Sequence, residues 1–465
     1  MPVLKEKRLL GHKLSPVAAH DSRNLKLGDG SQVAVIGGGP AGSFFSYFLL
    51  DMAASIGMDV HVDIYEPQDF SRYGPAGCNH CGGIISESLV QILATEGINI
   101  PPTVVQRGID SYVLHMDVGS VKIETPLREN RIAAIHRGAG PLGTKEAEWG
   151  SFDRFLQQLS QDMGAQIIKD CVDSISFDDG RPVVETRQGL SKKYDLVVGS
   201  VGLNTSGAKL FEALGTGYES PMSTKTFICE FHLGHDIVQK YFGNSMHVLL
   251  LNIPRLKFAA LIPKGSHVTL CLLGEKIDKK FVPDFLNSPY VRACFPPDLD
   301  LSQGYCCQCF PEIYVERSTK PFADRVVLVG DCAVSRLYKD GIGAAYTTGK
   351  AAASTAVLEG ISSEDFKRHY WPVCKAINSD NTIGKVIFAI TRQIQKRRSA
   401  KRGVLRMVSK EQSKEKNSKR MSVVLWDTFT GSAPYRDIFL RTLHPSFLSN
   451  FIWGTVIETW PFNKR

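Results

Sequence analysis

Three glycines spaced G-x-G-x-x-G stand at Gly37, Gly39 and Gly42, inside the stretch VAVIGGGPAG. A turn of this kind holds a pyrophosphate. The first glycine permits the tight turn, the second lets backbone approach the phosphates, and the third lets helix and strand pack closely; Pro40 and Ala41 open the helix whose N-terminus faces the anion. Glu66 lies 24 residues beyond Gly42, at the end of the next apolar run, where a carboxylate accepts hydrogen bonds from an adenosine ribose. A second constellation follows in RVVLVGDCAVSRLYKDGIGAA. Gly330 and Asp331 end an apolar run, and an aspartate there can hold a ribityl hydroxyl. Gly341, Ile342, Gly343 and Ala344 then open a small-residue helix, whose N–H groups and positive dipole end suit an electron-rich ring edge. A reduced, anionic flavin is the ring that gains most.

A third constellation is YGPAGCNHCGGII, residues 73–85. Cys78, His80 and Cys81 could ligate zinc or iron with Cys306, Cys307 and Cys309 of GYCCQCF. They could equally form a redox disulfide, line a ligand, or simply fill a glycine loop. The spacing alone leaves these readings open.

The elements that must position these residues are legible from periodicity. QVAVI and HVDIY read as buried parallel strands around a helix starting near Ala41, a β–α–β unit. A helix starts at Phe152, strands follow in AQIIKDCVDSISFD and PVVETRQG, and YDLVVGSVG is another buried strand. Residues 222–275 read as an antiparallel sheet. The buried-strand pattern returns near residue 325, so the expected fold class is α/β: a Rossmann-like domain with a parallel sheet, interrupted by an antiparallel-sheet substrate domain. The boundaries are an N-terminal arm (1–30), a discontinuous nucleotide domain (31–110, 130–205 and 320–362), the sheet domain (206–319) and a helical, basic C-terminal region (363–465).

With the paired glycine motifs and Glu66 placed, the chain resembles, over about residues 30–360, the FAD flavoproteins that include aromatic hydroxylases and geranylgeranyl reductases. The resemblance implies FAD, with Gly37, Gly39, Pro40, Ala41, Gly42 and Glu66 on the ADP half and Gly330, Asp331, Gly341, Ile342, Gly343 and Ala344 on the flavin half. DLVVGSVG resembles the family's D-x-x-x-G-A-D-G, but Ser200 and Val201 replace its Ala-Asp pair, which counts against an NADPH-dependent hydroxylase. Cys81, Gly82 and Gly83 resemble the C-G-G segment of geranylgeranyl reductases, and FAALIPKG a degenerate form of their F-P-K-G motif. HRG followed by SFDRFL resembles R-x-x-F-D-x-x-L with AGPLGTKEAEWG inserted, which implies Arg137 as a cation beside flavin or substrate. The resemblance is strongest to geranylgeranyl reductases. It implies reduction of a carbon–carbon double bond in an isoprenoid or other lipid-like substrate, with Cys81 and Tyr73 the catalytic candidates. The electron donor would be NADPH, a ferredoxin or a quinol; no second G-x-G-x-x-G marks a separate NADPH domain. The alternatives are a flavin monooxygenase of the hydroxylase type and an electron-transfer flavoprotein that feeds a membrane quinone.

The net charge of +8 is concentrated. Residues 391–420 hold twelve Lys or Arg and two Glu, a net of +10, so the other 435 residues sum to −2. That pattern does not read as a nucleic-acid binder, since aromatics are not interleaved with the charges. It reads as solvated surface or as a patch for peripheral contact with a membrane, where each basic side chain near an anionic surface contributes about 1 kcal/mol. The eleven cysteines, odd in number and without a leader pattern in the polar first thirty residues, read as reduced thiols of a cytoplasmic protein.

Overall fold

The computed structural model describes residues 25–78, 81–125, 132–142, 150–301, 304–413 and 419–459. The expected arm therefore lies mostly outside the described residues, as do His80 and the core of the AGPLGTKEAEWG insertion.

Continuous runs of Val, Ile and Ala form strands buried on both faces, and these build the first sheet. Its order is Phe322–Ala323, Val326–Leu328, Leu196–Gly199, Ser31–Ile36, Val60–Tyr65, Gln166–Ile168. All neighbours run parallel except the first pair, which is antiparallel. The helix Pro40–Ser55 crosses from the fourth strand to the fifth and packs between the helices Gly341–Ser354 and Phe152–Asp162. Small residues make this contact close. A Cβ on Gly349 would lie 3.1 Å from both the Ala41 carbonyl oxygen and the Phe45 nitrogen.

The second sheet has seven strands in the order Tyr305–Cys309, Phe227–His232, His267–Gly274, Leu256–Lys264, Ser245–Leu249, Ser111–Met116, Gly119–Glu124. The antiparallel reading of 222–275 extends at both edges. Two strands come from 111–124, a stretch left between domains by the sequence reading, and Ser111–Met116 joins by the sheet's one parallel pairing. Alternation along the strands gives the sheet two buried faces. One face, with Leu114, Val248 and Ala260, packs under the C-terminal helices around Trp426, Phe429 and Tyr435. The other, with Leu249, Leu261 and Leu270, is covered by Phe242, Phe285 and Phe295.

The C-terminal region is helical, as its pattern indicates: Trp371–Lys396, Arg398–Gln412, Arg420–Thr430, Tyr435–Thr442 and Pro445–Thr459. Its basic run is only partly solvated. Lys401 is 3% exposed and pairs with Asp117, and buried Glu411 caps the Met421 and Ser422 nitrogens at 3.0 and 2.8 Å. No helix among the described residues is long and apolar enough to cross a membrane.

Candidate functional site

The carboxyl ends of the parallel strands converge, and there the two glycine motifs meet, as ligand crevices in open parallel sheets require. Gly37 takes φ +106°, a conformation that suits glycine. A Cβ on Gly37 would come within 2.5 Å of the Ser200 carbonyl oxygen, and one on Gly42 would strike the Gly37 carbonyl. Ser200, which stands where the resembling family has alanine, donates its hydroxyl to the carbonyls of Ile36 and Gly37 at 3.0 and 2.6 Å. It clamps the glycine turn. Gly39 is the N-cap of the helix and Pro40 its first residue, an arrangement that leaves N–H groups facing outward.

Glu66 stands at the end of Val60–Tyr65, 9% exposed. Its two oxygens accept from the nitrogens of Gly38 and Gln68 at 2.8 and 2.9 Å. Burial raises its carboxyl above the usual range, against those hydrogen bonds. Each oxygen keeps a lone pair for a further donor such as a ribose hydroxyl.

Gly330 joins the second motif to the first. At φ +68° it lies so close that a Cβ would come within 2.6 Å of the Ala41 Cβ. Asp331 follows, and its Oδ1 is shielded from water with no hydrogen-bond partner. An unpartnered buried carboxylate oxygen is costly, and burial accordingly raises the Asp331 carboxyl. A ligand hydroxyl would satisfy it. The glycine cradle and this orphaned acceptor together fit an FAD, with the pyrophosphate at Gly37–Gly42 and the ribityl chain at Asp331.

The helix Gly341–Ser354 carries a residue that the sequence reading passed over. Asp340 adopts the left-handed conformation (φ 49°, ψ 44°) as N-cap and accepts from the Gly343 nitrogen at 3.2 Å. Its side chain is 5% exposed and pairs with Arg336 at 3.1 Å. The Gly343 N–H expected to face a flavin is thus taken by Asp340, and Gly341 and Ile342 are the first-turn donors left to the helix. The signal was present, since aspartate immediately before a helical run is a preferred cap.

Residues 74–78 and 81–83 border an open cleft against the second sheet. Cys78, Cys81 and Arg137 line it, together with Glu230, Lys264 and Cys309. Gly83, at φ +71°, sits so tightly that a Cβ would strike the Ile135 carbonyl, and Gly82 lies against the Cys271 sulfur. Tyr73 is different: it is 41% exposed and precedes the residues that line the cleft. Arg137 donates both Nε and Nη2 to Asp153, at 2.9 and 2.7 Å, so HRG and SFDRFL meet despite the insertion. Burial opposes its charge, but Asp153 outweighs burial and holds the guanidinium ionised; Cys81 and Asp331 add to the effect. Arg137 thereby stands within electrostatic reach of both the cleft cysteine and the flavin-side aspartate.

Two further features were not read from the sequence. Lys264, 1% exposed, stands 3.7 Å from Glu230, whose oxygens accept from Thr269 at 2.9 and 2.8 Å. His136, 8% exposed, is pushed well below the usual imidazole range by burial and by Lys264, so it is neutral at pH 7. Cys78, Cys81, Cys307 and Cys309 share the cleft, yet among the described residues no three ligand atoms of this set gather within 4.8 Å. No disulfide joins the described cysteines.

No protein-family model matches this chain, and no curated protein matches it. Solved structures do. A geranylgeranyl bacteriochlorophyll reductase-like protein from Thermoplasma acidophilum superposes with TM-score 0.61 at 14% identity, covering 91% of this chain and 99% of that one. A flavoprotein/dehydrogenase from Cytophaga hutchinsonii gives 0.58 at 14%, covering 92% and 99%. A variant of the halogenase PltM in complex with FAD gives 0.58 at 11%, covering 92% and 91%. At these identities the likeness shows the fold alone: this chain shares its architecture with these proteins.

Asp340 makes a pH prediction. Burial raises its carboxyl from 3.8 to about 6. The folded chain therefore holds a proton between these values that the unfolded chain releases, and stability falls as pH rises through that window. Asp340→Asn keeps a capping oxygen but not the titration. In urea unfolding, the variant gains on wild type by about 2 kcal/mol as pH rises from about 4 to about 7; a constant difference would show that Asp340 does not titrate there.

Proposed function

We propose that this protein is an FAD-dependent oxidoreductase acting on an organic substrate held in the cleft lined by Cys78, Cys81 and Arg137. The observation that carries the reading is the unpartnered Asp331 Oδ1 beside a glycine cradle that tolerates no Cβ at Gly37, Gly42 or Gly330. FAD, when bound, supplies the redox chemistry. The chain's own groups do the rest. The turn at Gly37–Gly42 binds the pyrophosphate through backbone N–H groups, and Asp331 orients the ribityl chain. Arg137, fixed by Asp153, places a permanent positive charge between cofactor and cleft. Glu230 and Lys264 form a buried pair on the cleft wall that can hold or deliver a proton to a bound molecule.

Two finer readings divide this proposal. A monooxygenase-type reaction, using molecular oxygen, is the first reading; it draws on likenesses to a halogenase, PltM, and a flavin-dependent brominase, Bmp2. Reduction of a carbon–carbon double bond in an isoprenoid is the second reading. It draws on the likeness to the reductase-like protein and on Cys81, which lines the cleft. Anaerobic photoreduction of the purified protein, followed by oxygen or by candidate aromatic and prenyl substrates, separates them. Oxygen uptake coupled to an oxygenated product supports the first. Reoxidation by an alkene without oxygen supports the second. Gly42→Ala is expected to be colourless; a wild-type protein that takes up no flavin contradicts both.

The same proposal extends to an anionic lipid surface. On the helix Pro445–Thr459, Leu448, Ile452, Trp453 and Val456 form one exposed apolar stripe, with Trp453 67% exposed. This helix crosses Arg398–Gln412 where Gly403 meets Gly454, which sets exposed Arg406 and Lys410 on the neighbouring element. An apolar stripe beside cations is the pattern of interfacial helices. Flotation with vesicles should carry the protein when they contain phosphatidylserine and less so when they are purely phosphatidylcholine, and Trp453→Glu should weaken the association several-fold. Equal recovery with both vesicles, or no effect of the substitution, would remove the lipid from the account.

A further inference from the structure

On the face of the seven-stranded sheet turned away from the cleft lies a cluster that the flavin chemistry does not use. His115 is on Ser111–Met116 and His247 on Ser245–Leu249, which are parallel neighbours. Val113 stands opposite His247, and Leu249 opposite His115. The two histidines are therefore diagonal neighbours on one face. Register across the next strands places Leu261 and Leu270 on that face too, while Glu230, Thr269, Ile262 and Lys264 occupy the other.

The geometry is that of a ligand set. His115 Nε2 and His247 Nδ1 are 3.2 Å apart. The Cys294 sulfur is 3.8 Å from His115 Nε2, and all three atoms lie within 4.8 Å of one another. A tetrahedral zinc ion with bonds of about 2.0–2.1 Å to nitrogen and about 2.3 Å to sulfur sets its ligand atoms about 3.3–3.6 Å apart. The His115–His247 and His115–Cys294 separations lie within a few tenths of an ångström of those values. His247 and Cys294 are 6% and 4% exposed, and Phe242 flanks His247 with ring centroids 4.8 Å apart. The outer partner is also in place. Ser120 Oγ lies 2.8 Å from His115 Nδ1, the contact that fixes the tautomer of a metal-ligating imidazole so that Nε2 presents its lone pair.

We infer that His115, His247 and Cys294 form a zinc site, with water completing the tetrahedron, that pins the segment after Pro289–Arg292 to the sheet. Binding forms a zinc–sulfur bond at Cys294, breaks its S–H bond and releases one proton to solvent, with no change of oxidation state.

The test uses Co²⁺ as a spectroscopic probe and Zn²⁺ as its competitor, on full-length protein stripped with chelator. The expected result is one equivalent of Co²⁺ bound with a sulfur-to-cobalt charge-transfer band, bleached by one equivalent of Zn²⁺. Cys294→Ser abolishes the band, and Ser120→Ala weakens binding by about 10–100-fold. Circular dichroism on each variant guards against loss of fold. As a measurement free of variants, Zn²⁺ should raise the thermal midpoint of wild-type protein over that in chelator. A wild-type protein with no band and no zinc-dependent midpoint overturns the inference. So does a band that persists in Cys294→Ser, which would place the metal on the cleft thiols.

Discussion

The candidate site depends on one constraint: three backbone segments must touch at the carboxyl edge of the parallel sheet. The Gly37–Gly42 turn, the Ser200 peptide and Gly330 approach so closely that a single Cβ at any of the three glycines meets neighbouring atoms at 2.6 Å or less. Ser200 adds two hydrogen bonds to the turn it abuts. Everything chemical follows from this contact. It puts Glu66 at one end of the crevice, brings Asp331 to the other, and lets the helix after Asp340 lie against the helix after Gly39.

Charge inside the fold is arranged in close pairs. Arg137 is held by Asp153, Asp340 by Arg336 and Lys264 by Glu230. Buried pairs of this kind add little net stability, because desolvation offsets their attraction, but removing one partner is costly. Their role is to fix charges in place. Arg137 is the clearest case: its bidentate geometry leaves no freedom to follow a substrate, so it acts as a stationary field between Cys81 and Asp331. The Asp340 cap is the less expected part. It places an acid at a helix end where an electron-rich ring edge would gain from unmet N–H groups, and this restricts the donors to Gly341 and Ile342.

Much of the nucleotide half was legible in the sequence because its signals are local. A buried strand, a glycine turn, a helix and a terminal acid fall within about 35 residues of each other, and Val33 to Ile36 and Val60 to Tyr65 are strands as expected. The sheet of the second half was only partly legible. Ser111–Met116 pairs with a strand some 130 residues away, and nothing in its own residues announces that partner. The cleft groups failed for a related reason. Lys264 falls in FAALIPKG, which resembles a family sheet motif but gave the lysine no role, and Glu230 in a run that read simply as a strand; only the register of three strands brings them together. His115, His247 and Cys294 come from three separate segments with no ligand spacing at all. Tyr73 shows the converse, where proximity in sequence to Cys81 did not translate into a place on the cleft wall.

The central claim is that Asp331 and the glycine cradle hold FAD. Titrating flavin-free protein with FAD, followed by quenching of flavin fluorescence, tests it most directly when wild type and Asp331→Ala are compared. One FAD per chain, with affinity lowered about 10–100-fold in the variant, is the expected result for loss of a hydrogen bond to a charged acceptor. Wild-type protein that binds no FAD, or equal affinity in the two proteins, would contradict the account.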